Sequence, residues 1–258
     1  MLVTISVVIV SLVLIYGIFV ERLQVETTHI SFGSNLGIKF AHITDLHFSR
    51  ESNREKKVLE ILKEGVPDVI FITGDIVNYR RNFVASNYLK KIVDLGKPVY
   101  FVLGNWDYNV KDIENLKNAL KSLSIIVLEN ESIIFEKGDT KINIIGVSDP
   151  YTKRADLKKA MSNIDKTLYT ILLAHSPDIF YEAVAQNIDL VLVGHLHGGQ
   201  VRLPFLKFAI YSPSKYGSRF LYGIFRNNST TMYVNRGIGE SHFPIRIFSK
   251  PEVLIGEI

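Results

Sequence analysis

The chain has no cysteine among its 258 residues. That absence excludes disulfides, thiolate metal sites and a cysteine nucleophile, so any bound metal must be held by nitrogen and oxygen. A dense basic run interleaved with aromatics is also missing. Lys and Arg are scattered, which leaves no strong nucleic-acid signal. The net charge of +4 supports at most a mild preference for anionic substrates or membrane surfaces. No internal repeat, Pro-rich linker or low-complexity stretch appears, and 47% hydrophobic with 22% charged residues excludes a disordered chain.

Charge is absent from one long stretch, residues 2–20, where only Thr4, Ser6, Ser11 and Gly17 interrupt the apolar side chains. As a helix this run would be roughly 28 Å long, about the hydrocarbon thickness of a bilayer. It reads as an uncleaved membrane anchor, a signal peptide later removed, or a buried core helix. No basic residue precedes it and no small-x-small cleavage site stands before Glu21, which favours the anchor. The expectation is a single-pass anchor to the cell membrane at residues 1–22, with 2–20 in the bilayer, and one globular domain at 23–258. Arg22 and Lys39 follow the span and nothing basic precedes it, so the positive-inside rule points the domain to the cytoplasm.

Behind the span, residues 24–35 read as a lead-in strand and turn. Residues 38–43, 69–73 and 99–103 read as buried strands, alternating with helices over 53–64, 83–95 and the Ile113, Leu116, Leu120, Leu123 face. Short strands follow at 125–128, 132–135 and 142–147, with Lys137-Gly138-Asp139 as a turn. Helices are expected at 157–164 and 179–185, and strands at 169–173 and 190–193. The remainder reads as β, at 220–225, 232–235, 246–248 and 252–257, with a turn at Asn227-Asn228. Alternating strands and helices give an α/β layer architecture.

Five apolar runs end abruptly in polar residues: Asp45-Leu46-His47, Gly74-Asp75, Gly104-Asn105, His175 and Gly194-His195-Leu196-His197. Strand ends of this kind converge on the rim where open α/β sheets bind ligands. Glycine before Asp75, Asn105 and His195 fits a tight turn that aims each side chain. Mixed His, Asp and Asn donors suit Mn²⁺, Fe or Zn²⁺ and disfavour an all-oxygen Mg²⁺ or Ca²⁺ site. Isolated histidines such as His29 and His42 read as structural or surface groups.

In this ordered pattern the chain resembles the calcineurin-like metallophosphoesterases. Residues 198–204 and Asn235-Arg236-Gly237-Ile238-Gly239 resemble the membrane-associated bacterial branch. The resemblance implies a four-layer α/β-β/α sandwich and two divalent metal ions, Mn²⁺ foremost. It implies one metal on Asp45, His47, Asp75 and His197 and the other on Asp75, Asn105, His175 and His195, with Asp75 bridging. It implies hydrolysis of a phosphate ester or anhydride in a small-molecule or lipid substrate by in-line attack of a metal-bound hydroxide. Asn105 and His195 would hold phosphoryl oxygens.

One position departs from the family. Many members carry His after the Asn to protonate the leaving oxygen; here it is Trp106, and indole is no acid near neutral pH. Either another group gives the proton, with His242 a candidate, or the leaving group departs unaided, as in an anhydride or aryl ester. Trp106 could instead stack on a base, pack under substrate or belong to the core. The UDP-2,3-diacylglucosamine diphosphatases of lipid A synthesis also lack that His, which makes them an alternative. A catalytically inactive metal-binding scaffold and a nuclease are others. Phe205, Leu206, Phe208, Ile210 and Tyr211 read either as an acyl-chain contact or as a core strand. Arg202, Lys207, Lys215 and Arg219 read as phosphate contacts or solvated surface.

Overall fold

Helix α1 (Leu2–Phe19) takes up the uncharged run, and a 3-10 turn at Glu21–Leu23 leads into strand β1 (Glu26–Ser31). The computed structural model describes residues 2–202, 208, 209 and 211–258. Next come β2 (Lys39–Ile43), α2 (Asn53–Gly65), β3 (Val69–Ile72), α3 (Ser86–Val93), β4 (Val99–Phe101), α4 (Ile113–Ser122) and β5 (Ile126–Val127). Local chemistry sets these limits. Ser52 and Glu55 form a capping box at the start of α2, which ends where Val66 turns left-handed, and Asp112 caps α4 by accepting from the Asn115 N–H.

The second half contains β6 (Glu131–Lys137), β7 (Thr140–Gly146), α5 (Leu157–Ala160), β8 (Thr170–Leu173), α6 (Phe180–Ala185), β9 (Leu190–Val193), β10 (Gly223–Asn227), β11 (Thr230–Val234) and β12 (Glu252–Glu257). Two six-stranded sheets result, ordered β1-β12-β2-β3-β4-β5 and β10-β11-β9-β8-β7-β6. Strands β2 to β5 run parallel, as do β7, β8, β9 and β11. The C-terminal strand β12 inserts between β1 and β2, antiparallel to β2.

Three apolar cores separate the layers. Phe40, Phe71, Tyr100, Ile144, Leu173, Leu192 and Tyr233 fill the space between the sheets. Helices α2, α3 and α4 cover the outer face of the first sheet through Val58, Leu62, Leu89, Ile92, Leu116 and Leu120. Helices α5 and α6 cover the second through Leu157, Ala160, Phe180 and Ala183. This is the four-layer α/β-β/α sandwich, and strands buried on both faces explain the continuous apolar runs.

Four elements differ from the sequence reading. Helix α3 begins at Ser86, and only one helical turn forms in 157–164. Phe220 sits in a 3-10 turn instead of a strand, because its ring is buried among Phe180, Tyr181, Tyr216 and Phe225. Residues 246–248 make one isolated bridge, Val201 to Ile247. Arg246 there turns inward to satisfy backbone carbonyls, and Phe248 is left-handed at φ 55°.

Phe71 is fully buried between the sheets, with the Phe40 and Tyr100 rings 5.5 and 6.1 Å away. Phe71→Ala is expected to destabilise the fold by roughly 3–5 kcal/mol, read as a lowered unfolding midpoint in denaturant.

Candidate metal centre

Parallel strands place their C-terminal ends on one rim. Asp45 and His47 follow β2, Asp75 follows β3, Asn105 follows β4, His175 follows β8, and His195 and His197 follow β9. Two buried triads form there: Asp45, His47 and His197, and Asp75, His175 and His195. In each triad the three donor atoms lie within 4.8 Å of one another. Asp75 Oδ2 reaches both, 3.6 Å from His47 Nε2 and 3.3 Å from His175 Nε2. Asn105 Oδ1 joins the second triad, 3.0 Å from His175 Nε2.

Hydrogen bonding determines what these atoms offer. A carbonyl only accepts, so the imidazole nitrogen facing it carries the proton. His47 Nδ1 faces Val77 O at 3.2 Å, His175 Nδ1 faces Thr73 O at 2.8 Å and His195 Nε2 faces Pro213 O at 2.8 Å. In the neutral rings the other nitrogens, His47 Nε2, His175 Nε2 and His195 Nδ1, are lone pairs turned inward. Among the described residues, His47 Nε2 and Asp45 Oδ1 are buried without a hydrogen-bond partner. His195 Nδ1 stands 3.0 Å from His175 Nε2. Lone pairs and carboxylate oxygens at such separations repel one another unless a cation lies among them. The donor set therefore fits a pair of divalent cations, with each ring oriented by a carbonyl behind it.

The carboxylates are held as firmly. Asp45 Oδ2 accepts from the His195 N–H at 2.8 Å and Thr44 Oγ at 2.9 Å, leaving Oδ1 for His197 at 3.5 Å. Asp75 Oδ1 accepts from the Trp106 N–H at 2.9 Å, leaving Oδ2 for both triads. Burial raises the Asp75 pKa, but His175, His47 and His195 outweigh it and bring it down to about 2. Burial holds His47, His195 and His197 below the usual imidazole range, with His47 and Arg246 adding to the effect at His197. Burial opposes charge on His175 too, yet Asp75 raises its pKa well above the ordinary value. A metal ion there would replace that proton.

Backbone strain marks the same residues. Asp45, His47, Asp75, His195 and His197 all have positive φ, between 40° and 75°. Such conformations cost on the order of 1 kcal/mol each and persist where surroundings overdetermine them. Of the three glycines expected to make the turns, only Gly74 does, at φ 90°. Gly104 and Gly194 serve close approach instead. A Cβ on Gly104 would overlap the Asp75 carboxylate, and one on Gly194 would overlap Asp45.

Two contributors, Asp107 and Arg246, were given no role at the site by the sequence reading. Asp107 is fully buried and accepts from the Asp75, Ile76, Val77 and Gly104 N–H groups, which joins the two ligand loops. Burial and Asp75 push its pKa up to about 7, against those donors. Its only signal was its place two residues after Asn105. Arg246 is wholly buried under His197, its Nη2 3.4 Å from His197 Nδ1. Asn235 donates to His42 O at 3.1 Å. His42 is a core residue bonded to Thr73, with burial lowering its pKa to about 3, and His29 is exposed on β1.

Trp106 is half-buried, its ring 5.3 Å from both His47 and His242, so His242 lies at the rim across the indole. A cavity of about 450 Å³ opens beside His195 and His197, walled by Leu196, Val201, Tyr211, Pro213, His242 and Phe243. On the other side of Pro213 a cavity of about 640 Å³ is lined by Tyr151, Lys153, Asp178, Tyr211, Ser214 and Lys215. The Tyr151 ring lies 4.7 Å from His195. Phe208 and Tyr211 are exposed, not core; Phe205, Leu206, Lys207 and Ile210 lie outside the described residues. Arg202 donates to Phe248 O and covers the Tyr222 ring, and Arg219 lies over Tyr181.

Comparison with known proteins bears on this rim. Residues 38–199 match the family model described as calcineurin-like phosphoesterase. The Bacillus subtilis metallophosphoesterase YkuE, uncharacterised, is 30% identical over 93% of this chain and 87% of its own length. The UDP-2,3-diacylglucosamine pyrophosphatase LpxG of Chlamydia muridarum is 30% identical over 85% of this chain and 83% of its own. Among solved structures, TT1561 of Thermus thermophilus superposes with a TM-score of 0.52 at 12% identity, over 78% of this chain and 90% of that one, which shows likeness of fold.

Asp75→Asn removes the negative charge that the two triads share. It is expected to strip bound metal and to lower turnover beyond the roughly 10–100-fold that outer-shell substitutions cost. Unchanged metal content by elemental analysis, with full turnover, would remove the bridging assignment.

Proposed function

Because the chain belongs to the calcineurin-like phosphoesterase family, we propose that this phosphoester hydrolase is a membrane-anchored, two-metal enzyme acting on a phosphorylated membrane lipid. The observation that carries the metal assignment is Asp75 Oδ2 standing between two sets of inward lone pairs. One ion belongs with Asp45, His47, Asp75 and His197, the other with Asp75, Asn105, His175 and His195. Mn²⁺ is the proposed metal, with Fe or Zn²⁺ compatible with the same donors. When bound, the pair neutralises phosphoryl charge and lowers the pKa of a coordinated water.

The chain's own groups do the rest. Asn105, beside the second triad, and His195, within it, steady the phosphoryl oxygens. Burial around the triads excludes bulk water and strengthens every electrostatic contact. No acid stands at Trp106. His242, across that indole, is the candidate proton donor to the leaving oxygen. Where the leaving group is a phosphate or a phenol, no donor is needed.

The anchor reading is supported by the window Thr4–Leu23, which has a mean hydropathy of 2.3 and is only 11% buried, unlike a core helix. The domain side is assigned to the cytoplasm from Arg22 and Lys39. A lipid substrate is supported by the apolar cavity beside His197, whose Phe243 wall is 73% exposed. A second reading is the cleavage of a diacylated nucleotide sugar, the substrate in the Chlamydia relative's name. The Trp106 substitution favours it, because an anhydride needs no acid there. The inactive-scaffold reading has to explain an intact and strained donor set.

Two experiments separate these readings. Full-length protein is assayed with phosphomonoesters, aryl diesters and nucleotide-lipid anhydrides under Mn²⁺, Zn²⁺, Fe²⁺ and Mg²⁺. Turnover is expected with Mn²⁺, and lipid-bearing substrates should outpace soluble ones. Silence across the whole panel would leave the scaffold. His242→Ala should slow alkyl esters by roughly 10²-fold or more and leave anhydrides and aryl esters close to wild type. Equal effects on all leaving groups would end its role as an acid.

A further inference from the structure

The end of helix α1 is built into the loop that supports His197. Gly17 O accepts from the Arg246 N–H at 3.3 Å. A Cβ on Gly17 would stand 2.7 Å from Ile247 Cγ1 and 2.8 Å from Arg246 O, so only glycine lets the helix lie this close. Glu21, 4% exposed, accepts from the Ser249 N–H at 2.6 Å, and Arg22 donates to Pro244 O at 3.0 Å.

From that loop the contacts run directly to the metal centre. Ser249 Oγ donates to His197 O at 2.6 Å. The buried Arg246 guanidinium donates to the carbonyls of Arg236, Gly237, Gly239 and Ser249, which pins the loop beneath the His197 ring. The Gly239 N–H donates to Asp45 O at 2.6 Å. Residues 236–251 contain no strand or helix, so nothing periodic holds them. Arg246 holds them from within, Gln200, Arg202 and Arg54 bond to them from neighbouring segments, and α1 braces them from outside.

We propose that Gly17, Glu21 and Ser249 are positioning residues for the metal centre, so that the end of α1 is a working part of the site and not a passive tether. This rests on the metal reading given above. It also moves the functional boundary of the domain back from residue 23 to about Gly17. The same loop carries His242 and Phe243, so the helix end also holds one wall of the apolar cavity.

The test uses the full chain in detergent micelles and a soluble aryl phosphodiester, so that membrane attachment has no bearing on the readout. Three quantities are measured: Mn²⁺ affinity by calorimetry, hydrogen exchange at residues 195–200 and 244–249, and steady-state kinetics. Glu21→Ala is expected to weaken Mn²⁺ binding by about tenfold, in the range of outer-shell losses, and to lower kcat more than it raises KM. Exchange should speed up in both segments. Glu21→Gln keeps a carbonyl acceptor for the Ser249 N–H and should restore wild-type behaviour. Ser249→Ala leaves the helix contact in place, cuts the next link, and should weaken Mn²⁺ binding in the same direction. Wild-type affinity and exchange in Glu21→Ala would overturn the proposal, as would equal damage from Ala and Gln. If the wild-type protein binds Mn²⁺ but hydrolyses nothing, the hydrolase reading fails, and affinity and exchange still decide this one.

Discussion

A single carboxylate oxygen, Asp75 Oδ2, lies within 3.6 Å of imidazole nitrogens from two different histidine clusters. Without compensating positive charge this arrangement is unfavourable, because inward lone pairs face carboxylate oxygens in a site that excludes water. In the bare chain Asp75 raises the His175 pKa well above its ordinary value, and the positive charge this favours offsets part of the repulsion. The rest of the rim holds that unfavourable juxtaposition in place. Carbonyls behind His47, His175 and His195 orient their rings, and Asp107 ties the Asp75 loop to the Gly104 loop.

The two sheets meet at this rim, and the contacts across it are backbone as much as side chain. The His195 N–H, at the end of the second sheet's β9, bonds to Asp45 at the end of the first sheet's β2. His175 reaches across to Thr73 O in the same way. Such approaches leave no room for a Cβ at Gly104 or Gly194. The loops thus carry strain at five of the candidate ligands, and the apolar core between the sheets keeps them from relaxing.

Much of this was legible beforehand. Val69 to Ile72 is buried throughout, so its apolar run read plainly as a strand. Each polar residue that interrupts such a run had to sit at a strand end, so the seven candidate positions could be picked out in order. Legibility failed where a residue acts through tertiary contacts alone. Arg246 looked like part of a strand, because nothing in its neighbours shows that four carbonyls would surround it. Asp107 carried no assigned role, because three of the four N–H groups it collects come from a loop about thirty positions away. The glycines were read as turn formers, since steric crowding from another sheet leaves no local trace.

Composition and pattern alone therefore determined the class of molecule. An uncharged run read as a long apolar helix, and the absence of cysteine excluded thiolate metal donors. Apolar runs ending in Asp, Asn and His read as strands that place candidate ligands at one edge. These follow from burial and periodicity, which act locally. Which oxygen of Asp75 serves both triads, which nitrogen of each histidine faces inward, and that α1 ends against the loop beneath His197 were decided by the tertiary structure. Each of those depends on hydrogen bonds between segments far apart in the chain, and no local pattern encodes the geometry in which such segments meet.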